Sequence, residues 1–480
     1  MAALCGTGGA LATRRRGRGK RRRSLSYLVR HRWVFRSGGR AVKGALASQG
    51  DIGVPRPRRQ ARAASSQDIV DAIVVATEEL LVSEGYALTT NAVADRAGVS
   101  IGSLYQYFPD KHALVAEVAR RVEQRGLELA MEAAARTDAD ADPRAITSEW
   151  VDIMLSPRLG SIALRRALLY EVPPVWAADA AAPTDGAVEA MLAALIASRP
   201  DAFRDVDPHT LAFVAYHAVE GVVECVLIER PQQFGARALR DELFRLAWSF
   251  AAPEGAPLTP PPPRLSVVRH ETPPRVTPPA PRRIEPSGRR GRETVEAILD
   301  AAAAILTEEG FDGLAARALA RRAGVSAGTL YRYFPDVAAV ATELARRCDG
   351  ATSELFTQAF TLVAQGPLLE GLRGVAALAR ATAIDDVPLR HALLRQLPRA
   401  AYRDATSVSG ELLFAAASDT LARAPRVRSG PQEWMAFIAV RAVERTIEAA
   451  LLRRRSLDDD LVEAIVQLAY RYLRAYPDFS

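Results

Sequence analysis

The chain has 480 residues, too many for one ordinary core and enough for two or three domains of roughly 100–200 residues each. Its apolar fraction of 49%, its crowd of Ala, Leu, Arg and Glu, and the lack of strict Val, Ile and Thr alternation predict an all-α protein. No run of about 18 uncharged apolar residues crosses a membrane, and no nucleophile–base pair, phosphate-binding loop or metal-ligand spacing argues for an enzyme, a cofactor or a metal.

The first segment, 1–62, holds 17 Arg and Lys against one acid, Asp51, while the whole chain nets only +7. This basic, disordered tail on an acidic body points to a polyanion, nucleic acid before membrane surface. It lacks the layout of a secretory signal, and a transit peptide or a functionless extension are its other readings. Cys5, Cys225 and Cys348 are far apart and fit a reduced cytoplasm, in association with the nucleoid.

Next comes a helical unit over 65–115. Ser65 and Asp68 have capping-box spacing, and Ile69, Val70, Ile73, Val74, Ala76, Leu80 and Leu81 form one apolar face. Gly85 stops that helix, and Thr89-Thr90 cap a short second helix to Ala97, closed by Gly98. Ser100 caps a third, ending at Pro109; helix, glycine turn, helix is the helix-turn-helix layout. On a wheel of 3.6 residues per turn, Ile101, Leu104 and Phe108 face the core. Gly102, Ser103 and Gln106 face away, flanked by Tyr105 and Tyr107. Glutamine pairs with adenine and serine with several bases, the tyrosine hydroxyls suit phosphates, and Lys111 beside the next cap, Asp110, adds a cation.

The chain then repeats itself. Arg96-Ala-Gly-Val-Ser-Ile-Gly-Ser-Leu-Tyr-Gln-Tyr-Phe-Pro-Asp110 recurs as Arg322-Ala-Gly-Val-Ser-Ala-Gly-Thr-Leu-Tyr-Arg-Tyr-Phe-Pro-Asp336, 12 of 15 positions identical at an offset of 226. Leu164–Leu169 with Pro173 matches Leu389–Leu394 with Pro398, and Ala218-Val-Glu220 matches Ala442-Val-Glu444. The divisions are a first rear helical domain over 116–252, a Pro/Arg-rich linker over 253–288, a second helix-turn-helix domain over 289–345 and a second rear domain over 346–477. At about 3.1 Å per residue, such a linker spans on the order of 100 Å, more than the roughly 34 Å between half-sites one turn apart.

At these residues the chain resembles the tetracycline-repressor (TetR) family, over Ile73–Leu114 and again Ile298–Asp336. The resemblance implies a dimeric, sequence-specific repressor with three-helix DNA-binding domains, released from double-stranded operator DNA by a small molecule of unknown identity. It supports DNA contacts at Thr90, Ser103, Tyr105, Gln106, Tyr107 and Lys111, and at Thr329, Tyr331, Arg332 and Tyr333; Ser100, Gly102, Ser326 and Gly328 complete the expected contact surface. The second copy departs from the pattern: Ala315-Ala316 replaces the capping threonines and Val337 the lysine, so it is expected to bind more weakly alone. Arg332 for Gln106 exchanges a guanine preference for an adenine one, predicting an asymmetric operator.

In the rear domains Thr210–Ile228 carries an apolar face through Leu211, Val214, Ala218, Val222 and Leu227, with Gly221 where the repeat has Arg445. That exchange suits copy one pairing with copy two as a pseudo-dimer and equally suits divergence after loss of function, with a homodimer of tandem chains as the other alternative. His217, Glu220 and Glu224 read as helix surface charge rather than a metal site, and Glu171, Tyr170 and Trp176 as possible effector lining. The competing functions are a non-specific DNA-coating or bridging protein and an oligomerisation module with vestigial helix-turn-helix units.

Overall fold

The computed structural model describes residues 64–138, 141–156, 159–172, 174–229, 236–262, 286–310, 313–348, 360, 363, 366–384, 387–397, 413–424, 427–453 and 457–474. The tail 1–62, most of the linker, Pro173 and Pro398 lie outside them, as do the side chains of Ser65, Trp176 and Leu227. Every extended element of the described residues is a helix; a lone bridge joins Val427 to Arg474.

The first half runs α1 (Ala64–Glu84), α2 (Thr90–Ala97), α3 (Ile101–Tyr107), α4 (Lys111–Arg136), α5 (Pro143–Met154) and α6 (Ile162–Arg166), which widens into a π turn, Ala167–Glu171. Then follow α7 (Pro174–Ala197), α8 (Pro208–Glu229) and α9 (Ala236–Ala251). The second half runs α10 (Gly288–Glu308), α11 (Ala316–Arg322), α12 (Ala327–Tyr333), α13 (337–348), α14 (Leu368–Ile384), α15 (Val387–Gln396), α16 (413–423), α17 (Gln432–Leu452) and α18 (Asp459–Leu473).

The sequence dictates the boundaries of the first unit closely. The Thr89 side chain accepts from Ala92 N–H at 3.2 Å, Ser100 from Ser103 N–H at 3.0 Å and Asp110 from Ala113 N–H at 2.9 Å, satisfying N–H groups that helix starts leave orphaned. Thr89 alone caps α2; Thr90 is already helical. Helix α1 opens at Ala64, so Ser65 lies inside it rather than before it. Ile73, Val74, Leu80 and Leu81 enter a core shared with Val93, Leu104 and Phe108. In the second half Ala315 stands at the cap of α11 with no side-chain acceptor, whereas Ser326 accepts from Thr329 N–H at 3.0 Å.

Three cores result. Each helix-turn-helix unit has its own, joined by one helix of the bundle behind it: Leu164 and Leu168 in the first, Leu389 and Leu393 in the second. The third core is common to both halves. Helix α8 packs on α17 and α9 on α18, so Leu211, Val222, Phe244 and Phe250 share one cluster with Phe437, Ile438, Leu461 and Tyr472.

Gly221 meets Arg445 across that seam, where a Cβ would overlap the arginine's own Cβ. The glycine and arginine versions of one helix face are thus packed against each other. Arg445 is buried and pairs with Glu224 across the seam and with Glu448 on its own helix. Tyr472 Oη donates to Glu242 Oε2 at 2.6 Å, and Arg471 Nε donates to the Ser249 carbonyl at 2.6 Å. The start of the linker is docked rather than free: Trp248 Nε1 donates to Pro257 O at 3.1 Å and Arg240 Nη1 to Pro261 O at 2.9 Å. Arg240 is itself buried, with Nε 2.6 Å from Asp152 Oδ1. At the other end α10 begins at Gly288, the last position assigned to the linker.

Candidate nucleic-acid interface

Helices α3 and α12 are seven residues each, and their two turns present alike. Leu104 and Phe108, like Leu330 and Phe334, are buried, which fixes the inward side. Gly102, Gln106, Gly328 and Arg332 are exposed, and Ser103 and Thr329 are half-exposed. Tyr105 and Tyr331 stand out at 42% and 43% exposure. The face expected to carry the base-pairing groups is therefore open in both copies.

The wheel reading needs correction at three positions. Tyr107 and Tyr333 are each only 5% exposed, and their rings belong to the cores beside Leu104 and Leu330. Ile101, expected inside, is 38% exposed. Both follow from one rotation: Ile101 and Tyr107 lie about 60° to either side of Leu104 at 100° per residue, and the larger ring takes the inward position. The Tyr333 hydroxyl still reaches the surface rim, where it accepts from Arg332 Nη2 at 2.8 Å, with the guanidinium 4.7 Å over its ring. Tyr107 and Tyr333 thus serve chiefly as packing that aims their helices.

Other expected contact residues come together around these helices. Thr90 Oγ1 lies 3.1 Å from Tyr105 Oη, linking the start of α2 to the exposed tyrosine. Ser100 Oγ lies 2.8 Å from Ser103 Oγ, and Ser326 Oγ 2.9 Å from Thr329 Oγ1, so the two capping serines orient the hydroxyls facing outward. Arg96 holds α2 to α1 through Glu79 at 2.9 Å, and Arg322 does the same through Glu308 at 2.6 Å.

Lys111 is not a free surface cation. Its Nζ donates to Tyr86 O at 3.0 Å and lies 4.0 Å over the Tyr86 ring, and partial burial holds its pKa below the ordinary lysine value. Burial and the nearby Asp110 carboxylate push the Tyr86 hydroxyl up to about 12.

Of the three suggested effector-lining residues, Tyr170 is buried and Glu171 is engaged by the Tyr86 backbone at 3.1 Å. An open groove of about 550 Å³ lies elsewhere, between α1, α4 and the turn before α6, lined by Glu78, Val82, Arg125 and Ser161 among others. His217 and Glu224 are buried, not surface charge: His217 Nε2 lies 2.9 Å from Glu189 Oε1 and Nδ1 3.3 Å from Glu220 Oε2. Arg453 of the second half joins Glu189. No spacing in the chain points to Glu189, which is 28 residues from its histidine partner.

Comparison with known proteins bears on this geometry. The family described as bacterial regulatory proteins, tetR family, matches residues 73–118 and again 298–344; a tetracyclin repressor-like C-terminal domain matches 142–250. The HTH-type transcriptional repressor KstR of Mycolicibacterium smegmatis is 52% identical over 44 residues, 9% of this chain and 22% of that protein, so the chain matches about a fifth of that relative's length. Among solved structures, the fatty acid degradation regulator FadR of Bacillus halodurans aligns at 15% identity over 39% of this chain and 96% of its own, with a TM-score of 0.32. SmeT, the repressor of the Stenotrophomonas maltophilia multidrug efflux pump SmeDEF, aligns at 18% over 42% and 98%, with a TM-score of 0.32.

Proposed function

We infer that this chain, in which the DNA-binding domain of the TetR family of bacterial transcriptional regulators occurs twice, acts as a repressor reading one asymmetric operator with two unlike heads. One observation carries the reading. Both recognition helices are open to solvent with different residues at the same central position, Gln106 and Arg332, while the domains behind them are packed together within a single chain. Glutamine favours adenine and arginine guanine, so one chain presents two preferences. Exposed Tyr105 and Tyr331 supply phosphate contacts flanking each reading surface.

Selection from a random duplex pool tests this directly. The expected product is a pair of half-sites that differ at the position read by Gln106 and Arg332. Symmetric half-sites, or no enrichment at all, would overturn the reading. Specific sites should also keep an advantage over random duplex as salt rises, whereas coating of any sequence weakens with a slope of about −0.9 per neutralised phosphate.

The C-terminal-domain match over 142–250 supports release by a small-molecule effector held in the first rear domain. Because binding energies are reciprocal, a compound that weakens operator binding must itself bind less tightly to the operator-bound protein. It should also raise the unfolding temperature of the free chain.

A further inference from the structure

The two heads are alike in sequence but are not attached alike. Apolar attachment is common to both, through Leu164 and Leu168 in one and Leu389 and Leu393 in the other. The polar attachment differs. In the first head the chain leaves α1 through Gly85 at φ +62°, and the Glu171 carboxylate occupies the space that a Cβ there would take. Glu171 Oε2 accepts the Tyr86 N–H at 3.1 Å, while Tyr86 O accepts from Lys111 Nζ at 3.0 Å. Tyr86 is therefore gripped at its N–H by the rear domain and at its carbonyl by the helix that follows α3.

Glu171 is placed for this by the π turn it ends, a widening that recurs at functional sites. Buried Arg166 stands behind it, Nη2 3.9 Å from Glu171 Oε1. In the second head Gly310 has the same backbone form, φ +72°, and among the described residues nothing lies within 4 Å of where its Cβ would be. Val337 stands where the first head has Lys111, and Gln396 where it has Glu171.

We propose that Glu171 is the positioning residue of the first reading head, a latch that fixes the attitude of α3 on the rear bundle; the second head has neither its carboxylate nor its lysine. The proposal rests on the reading of α3 as a DNA-contacting helix. Orienting a head before it meets DNA removes an ordering cost from binding, so the latch contributes affinity without touching a base.

The test uses the full chain with Glu171→Ala, Glu171→Gln and Gln396→Ala. A charged acceptor lost from a backbone N–H corresponds to roughly a tenfold effect. Amide hydrogen exchange at Tyr86 should therefore quicken by about tenfold in Glu171→Ala, less in Glu171→Gln, and not in Gln396→Ala. On duplexes selected with the unaltered chain, Glu171→Ala should lose affinity by about the same factor, with base preferences unchanged and no large fall in unfolding temperature. Gly85→Ala and Gly310→Ala share the same backbone strain, so only the first should reproduce the accelerated exchange at its own head beyond that common cost. Unchanged exchange at Tyr86, or faster exchange with undiminished affinity, would overturn the proposal. Should the unaltered chain enrich no sequence, the DNA reading falls, and exchange at Tyr86 alone decides the latch.

Discussion

Tyr105 and Tyr107 lie about 200° apart around α3, and that angle gives one ring to solvent and the other to the core. Tyr107→Ala should cost about 3–5 kcal/mol, as for other large aromatic truncations, and show as a lowered denaturation midpoint before any DNA is added. Tyr105→Ala should leave the midpoint in place and weaken binding to every duplex alike. Gln106→Ala should instead relax preference at one base position, by about 1–3 kcal/mol, in a selection repeated with the variant. A Tyr107→Ala chain with an unmoved midpoint would contradict the packing role. The inward set was legible for Leu104 and Phe108, which two turns of periodicity place without ambiguity. It was not legible for Ile101 and Tyr107, equally tilted to either side of Leu104, because ring size and the neighbouring core decide between them.

Between helices, most of what the sequence hid is polar and distant in the chain. Caps at Thr89, Ser100 and Asp110 are local, three residues from their partners, and so could be read. The His217 cluster draws Glu189 from α7, Glu220 and the Tyr216 hydroxyl from α8, and Arg453 from the end of α17, a juxtaposition that only packing creates. Burial lowers the His217 pKa, but the hydrogen bonds from Glu189 and Glu220 outweigh it and leave the pKa above the ordinary value. A histidine raised on folding contributes stability that is complete below about pH 6.5 and lost as pH climbs through the folded pKa. The unfolding temperature should thus fall on the alkaline side, with His217→Gln flattening that limb; a level profile from neutral to alkaline pH would refute it. At the uncapped start of α11, Ala315→Thr should add about 1 kcal/mol, read as a raised unfolding temperature of the second head.

For the molecule as a whole, the duplication was plain from the repeated string, whereas the exchange of Gly221 for Arg445 suited pairing of the copies and their divergence equally until the two were seen in contact. The depth of that pairing was not, since Arg471, Tyr472 and Glu242 make sense only once α9 and α18 lie side by side. With the seam filled from within, the chain should have the mass of one copy in solution, 51.9 kDa, in light scattering. Gly221→Leu should force Arg445 outward at about 1–3 kcal/mol of overpacking. A doubled mass for the unaltered chain would mean that another surface also associates.

Joining the paired halves by a peptide chain removes an assembly equilibrium. Two separate subunits must find each other before they can grip DNA, and at a few copies per cell they part company. Here the partner travels on the same polypeptide, so dilution leaves the pairing intact. Operator occupancy should then grow with the first power of protein concentration, however scarce the protein becomes.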